Sequence, residues 1–172
     1  MPDLLAHYLV SYLIARTIVE PRYALIIAFV GVVADVDALL RVHRWVTHSI
    51  LVTLLASAPL LVLAYKQGRG YLRVVVLALL LYILHIVLDV FTGLTPILWP
   101  LVPAVGVELE INGVSSINGV MVAPSVEVIV KPANFTQKEI VEGPIVSETG
   151  LVLAVVTAVL LMVDYVGRRL KL

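Results

Sequence analysis

The run from Tyr71 to Thr92 constrains this chain more than any other stretch. At ~1.5 Å per residue its helix would be about 33 Å long, enough to cross a bilayer. Near its end, in the segment HIVLD, it carries His85 and Asp89. A spacing of four places both side chains on one helical face, where an imidazole and a carboxylate can converge on a single cation. Ionisable groups inside such a run point to a functional site.

The rest of the chain has the same character. With 61 % hydrophobic and 14 % charged residues and a mean hydropathy of +1.07, the 172 residues do not compose a soluble domain. Several apolar runs are separated by charged or Gly/Pro-containing breaks, so an integral membrane protein that spans repeatedly is expected. No basic tail suggests nucleic-acid binding, and a net charge of zero is silent about substrates. The absence of cysteine removes thiolate catalysis, disulfides and thiolate metal sites, leaving nitrogen and oxygen as metal ligands. The N-terminal segment lacks the basic start and cleavage site of a secretory signal and is read as retained.

In chain order, Leu4 to Val19 forms a first helix with Asp3, His7 and Ser11 on one face. Glu20-Pro21-Arg22 closes it, and a second helix runs from about Tyr23 to Leu39. Near its end stand Asp35 and Asp37. Alternate positions on an α-helix do not share a face, so only one of the pair is expected in the site unless the helix loosens there. A link, RVHRWVTHS, leads into a third helix from Ser49 to Tyr65. Thr47 is expected to cap it, leaving His48 in its first turn as a neutral imidazole, the form that binds metal. After Thr92, TGLTPILWPLVP reads as an exit at the membrane edge, with Trp99 interfacial.

Residues 101–148 alternate or are rich in valine, with Asn-Gly at 112–113 and 118–119, which predicts two or more short strands. Open β structure cannot lie exposed in lipid, so this acidic segment is expected to be an extramembranous cap. Gly150 to Val166 forms a last span before the tail GRRLKL. With five spans, the basic breaks at Arg16/Arg22, Lys66/Arg69/Arg73 and Arg168/Arg169/Lys171 fall on one side, expected to be cytoplasmic. His7, Asp35/Asp37, His43/His48 and His85/Asp89 then gather near the opposite, outer edge.

Three elements in order carry a resemblance: Asp35-Val36-Asp37, then His43-Arg44-Trp45-Val46-Thr47-His48-Ser49, then His85-Ile86-Val87-Leu88-Asp89 followed by Thr92-Gly93 and a proline, Pro96 or Pro100. This pattern resembles the membrane-bound metal-dependent hydrolase family that includes the LexA-regulated inner-membrane protein YdjM, over roughly residues 1–100. Ala34 stands where that family usually has proline, and Ala38 where a histidine often follows. More distantly, the motif order is similar to the all-helical zinc-dependent phospholipase C and nuclease group. That likeness implies that His7 and Asp89 serve one zinc while an early aspartate, His48, His85 and Asp89 serve another, with Asp89 bridging. Asp37 is assigned as that aspartate, with Asp35 as the alternative and otherwise a catalytic residue. Arg44 is a candidate clamp on phosphate oxygens. His43 is read as a ligand or a supporting donor, and Thr47 and Ser49 as helix-start residues that support the ligands.

Together these readings describe an all-α polytopic membrane protein of about five transmembrane helices with a small extramembranous β-containing cap. Residues 1–100 form the helical core with the metal site, 101–148 the β-rich insertion, and 149–172 the final helix and basic tail. The expected function is hydrolysis of phosphate esters of a lipid or membrane-associated substrate by water activated on one or two divalent ions, zinc being the expected metal. The expected setting is the inner membrane, with the site and cap outward, the C-terminus cytoplasmic, no nucleic-acid partner, and a homo-oligomer as the assembly. Two alternatives stand beside it: a transport or metal-handling protein using the same cluster, and a scaffold whose cap docks a partner.

Overall fold

The computed structural model describes residues 3–117 and 119–170. Helix α1 (Leu4–Ile18) begins at Asp3, whose Oδ1 accepts from the Leu5 N–H at 2.7 Å and the Ala6 N–H at 3.3 Å, an N-cap that satisfies two otherwise unpaired donors. Pro21 opens α2 (Pro21–Ile27), where its missing N–H costs nothing. From Ala28 the same apolar stretch winds more tightly as a 3₁₀ segment, Ala28–Leu40, and ends on Arg41 in the left-handed region at φ 60°. The expected second helix therefore exists, but its last 13 residues are not α-helical. Such long 3₁₀ runs are uncommon and mark strain or function.

A short 3₁₀ turn, Val46–His48, precedes α3 (Ile50–Gln67). The cap of α3 is Ser49 rather than the expected Thr47: Ser49 Oγ accepts from the Val52 N–H at 3.4 Å and donates to the Trp99 carbonyl at 2.7 Å. Helix α4 (Arg69–Val90) is the membrane-length run carrying His85 and Asp89. Two antiparallel strands, β1 (Ala104–Ser116) and β2 (Gly119–Lys131), follow, and α5 (Glu148–Leu170) closes the chain.

Among the described residues four stretches are long and apolar enough to cross a membrane: Pro21–Leu40, Ile50–Gln67, Arg69–Val90 and Glu148–Leu170. The expectation of about five spans becomes four candidates plus α1, whose 15 residues reach only about 22 Å at ~1.5 Å per residue. The protein is mostly helical, as expected. Its buried core is Tyr12, Ala15, Ala24, Ala28, Leu77 and Leu81, and the three alanines let α1, α2 and the 3₁₀ segment approach closely. Outward-facing Leu54, Leu55, Val62 and Leu63 on α3 are exposed, as befits a surface whose solvent is hydrocarbon.

The β1–β2 pair is a single hairpin of thirteen-residue strands, register Glu108↔Glu127 and Ile111↔Pro124. Asn112-Gly113 lies within β1, away from the reversal; Gly119 opens β2 at φ 127°, and Asn118 lies outside the described residues. Alternation puts Val107, Leu109 and Ile111 with Val126 and Val128 on one face and Glu108, Glu110 and Glu127 on the other. The base of the hairpin is fixed by a bridge between Thr95 and Val105, each N–H donating to the other's carbonyl at 2.9 Å. From Lys131 the chain crosses back without regular structure. The Lys138 N–H donates to Arg41 O at 2.9 Å, Gln137 Nε2 to Leu40 O at 3.2 Å, and the Leu5 N–H to Ile145 O at 3.1 Å. The return segment thus roofs the end of the helical bundle where the 3₁₀ segment stops and α1 starts.

Candidate metal centre

Under that roof the ionisable residues converge. Asp35, His48, His85 and Asp89, all buried, each offer one ligand atom, and these atoms lie within 4.8 Å of one another. His48 Nε2 is 3.3 Å from Asp89 Oδ2 and 3.7 Å from Asp35 Oδ1. His85 Nε2 is 3.3 Å from His48 Nε2 and 3.7 Å from Asp35 Oδ1. Two imidazoles and two carboxylates facing one point is a set that cations bind.

The 3₁₀ winding explains why Asp35 joins this group. Residues two apart lie roughly 160° apart around an α-helix but roughly 120° apart at three residues per turn, so both aspartates can lean toward the bundle. Both are buried. Their tasks differ, however. Asp37 Oδ2 accepts from the Trp45 N–H at 2.7 Å and Thr47 Oγ1 at 2.8 Å, and stands 3.0 Å from His48 Nδ1. Asp37 Oδ2 is therefore turned to the far nitrogen of His48, and Asp35, the alternative aspartate, is the one that joins the four-residue group, while Asp37 belongs to a neighbouring group with Asp35 and His43.

Each of the other inward groups is held from behind as well. His85 Nδ1 donates to the Gly31 carbonyl at 2.8 Å, which leaves the Nε2 lone pair facing the centre. Asp89 is held by Arg44, whose Nε donates to Oδ2 at 3.1 Å. The same guanidinium donates from Nη2 to Thr92 Oγ1 at 2.6 Å and from Nη1 to Leu94 O at 3.5 Å. Each of its three nitrogens makes one bond, so Arg44 fixes Asp89, and the second N–H on Nη1 and on Nη2 is not used by these bonds. Gly93, at φ 153°, makes room for it: a Cβ there would collide with Arg44 Nη1. Gly31 plays a like part, since a Cβ on it would strike Ser11 Oγ of α1.

His7 Nε2 lies 3.3 Å from Asp89 Oδ1, and its ring is 4.1 Å from that of His85. It thus borders the centre, outside the four-residue group. His43 Nδ1 is 3.9 Å from Asp37 Oδ1. Together with Asp35 and Asp37 it forms a second group able to hold an ion, sharing Asp35 with the first. Thr47 serves Asp37, and Ser49 caps α3 as described.

The donor atoms give an independent test of fit. Asp35 Oδ1 and Oδ2, Asp37 Oδ1, Asp89 Oδ1, His7 Nε2 and both His43 nitrogens are buried without a hydrogen-bond partner. Buried carboxylate oxygens in that condition are costly unless a cation or a proton answers them. The set fits a divalent cation with nitrogen and oxygen ligands. Electrostatics agree: burial opposes charge on His48, but its contacts with Asp35, Asp37 and Asp89 outweigh burial and push its pKa up to about 10. Three carboxylates thus favour a proton on His48 where the helix N-terminus would favour the neutral imidazole, and a cation would take over the role of that proton.

The profile of the YdjM inner membrane protein family matches residues 3–169. The chain belongs to that family. No curated protein and no solved structure matches it. The match reaches well past the limit near residue 100 expected from the motifs, and spans the hairpin, the return segment and α5. Membership and the apolar helices make this an integral inner-membrane protein.

Several contributors were invisible in sequence. The Gly31 carbonyl acts through backbone, and the Asp3 tie to α5 joins positions 144 apart. Thr92-Gly93 stood in the motif without a role; its pairing with Arg44 supplies one.

A cavity of about 310 Å³ opens beside the centre, between His43 and Arg44 on one wall and Asn134, Phe135 and Lys138 of the return segment on the other. Phe135 packs edge-on against Trp99, ring centroids 5.5 Å apart.

Proposed function

We propose that this YdjM-family protein is a membrane-bound metal-dependent hydrolase of phosphate esters. The observation that carries the reading is the convergence of Asp35, His48, His85 and Asp89 within 4.8 Å, their free carboxylate oxygens, and the cavity at their side. Zinc suits two imidazoles and two carboxylates without thiolate. When bound, the cation supplies Lewis acidity and a water acidic enough to be a nucleophile near neutral pH.

The chain's own residues divide the remaining work. Asp37 and the Gly31 carbonyl hold the two imidazoles in the ligating tautomer and orientation. Arg44 holds Asp89 and lends positive charge next to the site of reaction. His43 and Lys138 line the cavity through which an anionic ester would approach. A second ion would share Asp35, with Asp37 and His43 as its other ligands, in place of the Asp89 bridge implied by the phospholipase likeness. The substrate is a lipid or lipid-linked phosphate.

Charge supports an orientation. Arg16, Arg22, Lys66, Arg69, Arg168 and Arg169 stand at the helix ends remote from the centre, and a basic bias of that kind favours those ends in the cytoplasm with the centre, hairpin and return segment outside. The transport alternative needs a polar route leading on from the cluster. Beneath it lie Ala15, Ala28, Leu77 and Leu81, which favours hydrolysis.

The test is a screen of phospholipids, lipid phosphates and soluble phosphomonoesters with zinc-reconstituted protein, beside Asp35→Asn. Turnover that the variant abolishes supports the enzyme. Metal-loaded wild type inert on every ester, or turnover that Asp35→Asn leaves intact, overturns it.

A further inference from the structure

A second cavity, of about 350 Å³, lies on the other flank of the loop that carries His48. It is a groove between the 3₁₀ segment, α3 and α4, lined by Thr47, Val52, Ala56, Leu60, Ala78 and Tyr82 among others. Those three elements belong to three of the four candidate membrane spans. At that depth there is no water to fill an apolar groove, so its occupant in a bilayer is hydrocarbon. Ala56 on α3 and Ala78 on α4 line it, and their small side chains leave space that larger ones would fill. Along α3 it reaches from Val52 to Leu60, about 12 Å at ~1.5 Å per residue. That is most of one leaflet's share of a ~30 Å hydrocarbon core.

Its upper end connects to the centre through hydrogen bonds. Tyr82 Oη donates to the Thr47 carbonyl at 2.9 Å, and Thr47 Oγ1 donates to Asp37 Oδ2 at 2.8 Å. Asp37 is the carboxylate behind His48. His43 and Arg44 line the outer, polar cavity while Val46 and Thr47 line the groove. One short loop therefore separates a polar chamber from an apolar one, and that same loop carries His48 of the ligand cluster.

We infer that the groove seats one hydrocarbon chain of the substrate. The compound hydrolysed is then an amphiphile, a phosphate ester of a long-chain alcohol or acylated glycerol, that enters sideways from the bilayer. Its chain lies between α3 and α4, its phosphate at the centre, and its head in the outer cavity. The chemistry at the phosphate rests on the hydrolase reading, whereas the chain site rests on the groove itself.

The test uses full-length protein in phosphatidylcholine nanodiscs with dodecyl phosphate bearing a diazirine at the chain end, illuminated and mapped by peptide. Val155 and Met162, exposed on α5, report contact with bulk lipid. Labelling should concentrate on 52–60 and 75–82 relative to α5, and a dodecanol probe with the same diazirine should lose that preference. Ala56→Phe and Ala78→Phe should bring groove labelling down to the α5 level while metal content stays at the wild-type value; Ala56→Leu keeps the test open if the larger side chains prevent assembly. Three results overturn the inference: label spread evenly over α3, α4 and α5, groove label that survives the filled variants, or filled variants that instead dissociate a dimer whose second copy occupied the groove. Groove labelling without turnover of any ester keeps the chain site and removes the enzyme reading, so the two failures are told apart.

Discussion

Asp35 and Asp37 are separated by one residue and do different work. Asp35 presents unpaired oxygens to the centre, and Asp37 steadies the far nitrogen of His48. Asp35→Asn should therefore abolish metal retention, whereas Asp37→Asn should keep the metal with affinity lowered roughly 10–100-fold, the usual effect of losing a carboxylate behind a ligating histidine. Competition against a chelator of known affinity measures both, and equal losses would contradict the division. Gly93 offers a second check. Gly93→Ala strains a φ of 153° and drives a methyl into Arg44, so it should weaken metal binding in the manner of Arg44→Ala, although residue 93 offers no ligand. At this scale the sequence displayed the ligand types, including His48, His85 and Asp89, because a polar residue in an apolar run is conspicuous. It did not display which carboxylate joins the four-residue group, since that depends on the winding of the helix, nor that Arg44 bonds Asp89, Thr92 and Leu94.

Among the elements, α1 depends on its two ends. Asp3 caps it and also accepts from the Ser147 N–H and hydroxyl at the start of α5, and Gly150 leaves space for that carboxylate. Burial alone would raise the Asp3 pKa, but the bonds from Ser147, Ala6 and Leu5 outweigh it and hold it below the ordinary carboxylate value. The sign follows: the folded form prefers the ionised carboxylate, so the tie contributes its full stability above about pH 4 and loses it as pH falls through the lowered folded value. Asp3→Ala should cost about 0.5–2 kcal/mol as a lost cap and flatten the acid side of the stability curve, as read by thermal unfolding in detergent across pH 2–7. An unchanged acid limb would contradict the role given to Asp3. Helix positions were legible from apolar runs and from Pro21. The 3₁₀ winding of Ala28–Leu40 was not, because hydrophobic periodicity is too uniform there to separate 3.0 from 3.6 residues per turn.

As a whole, the molecule places the candidate ligands at one end of its helices and the basic breaks between helices at the other, an arrangement already implied by the order of charges along the chain. The number of spans was harder to read, because α1 is apolar but short and only its packing shows how it is used. The hairpin and return segment were expected as a cap. That the segment after Lys131 folds back over Leu40 and Arg41 depends on long-range backbone bonds that no local pattern announces. Cation uptake should also release protons at neutral pH, because His48 is held protonated by the carboxylates the ion would share; a weakly buffered indicator assay reads this, and uptake without proton release would contradict that electrostatic account.

The most direct measurement is metal content. Protein purified without chelator should retain one to two equivalents of transition metal, zinc foremost, and His85→Ala and Asp89→Ala should lose it while keeping a wild-type helical circular dichroism spectrum. Full occupancy in those two folded variants, or a wild-type protein that binds no metal on reconstitution, would contradict the centre.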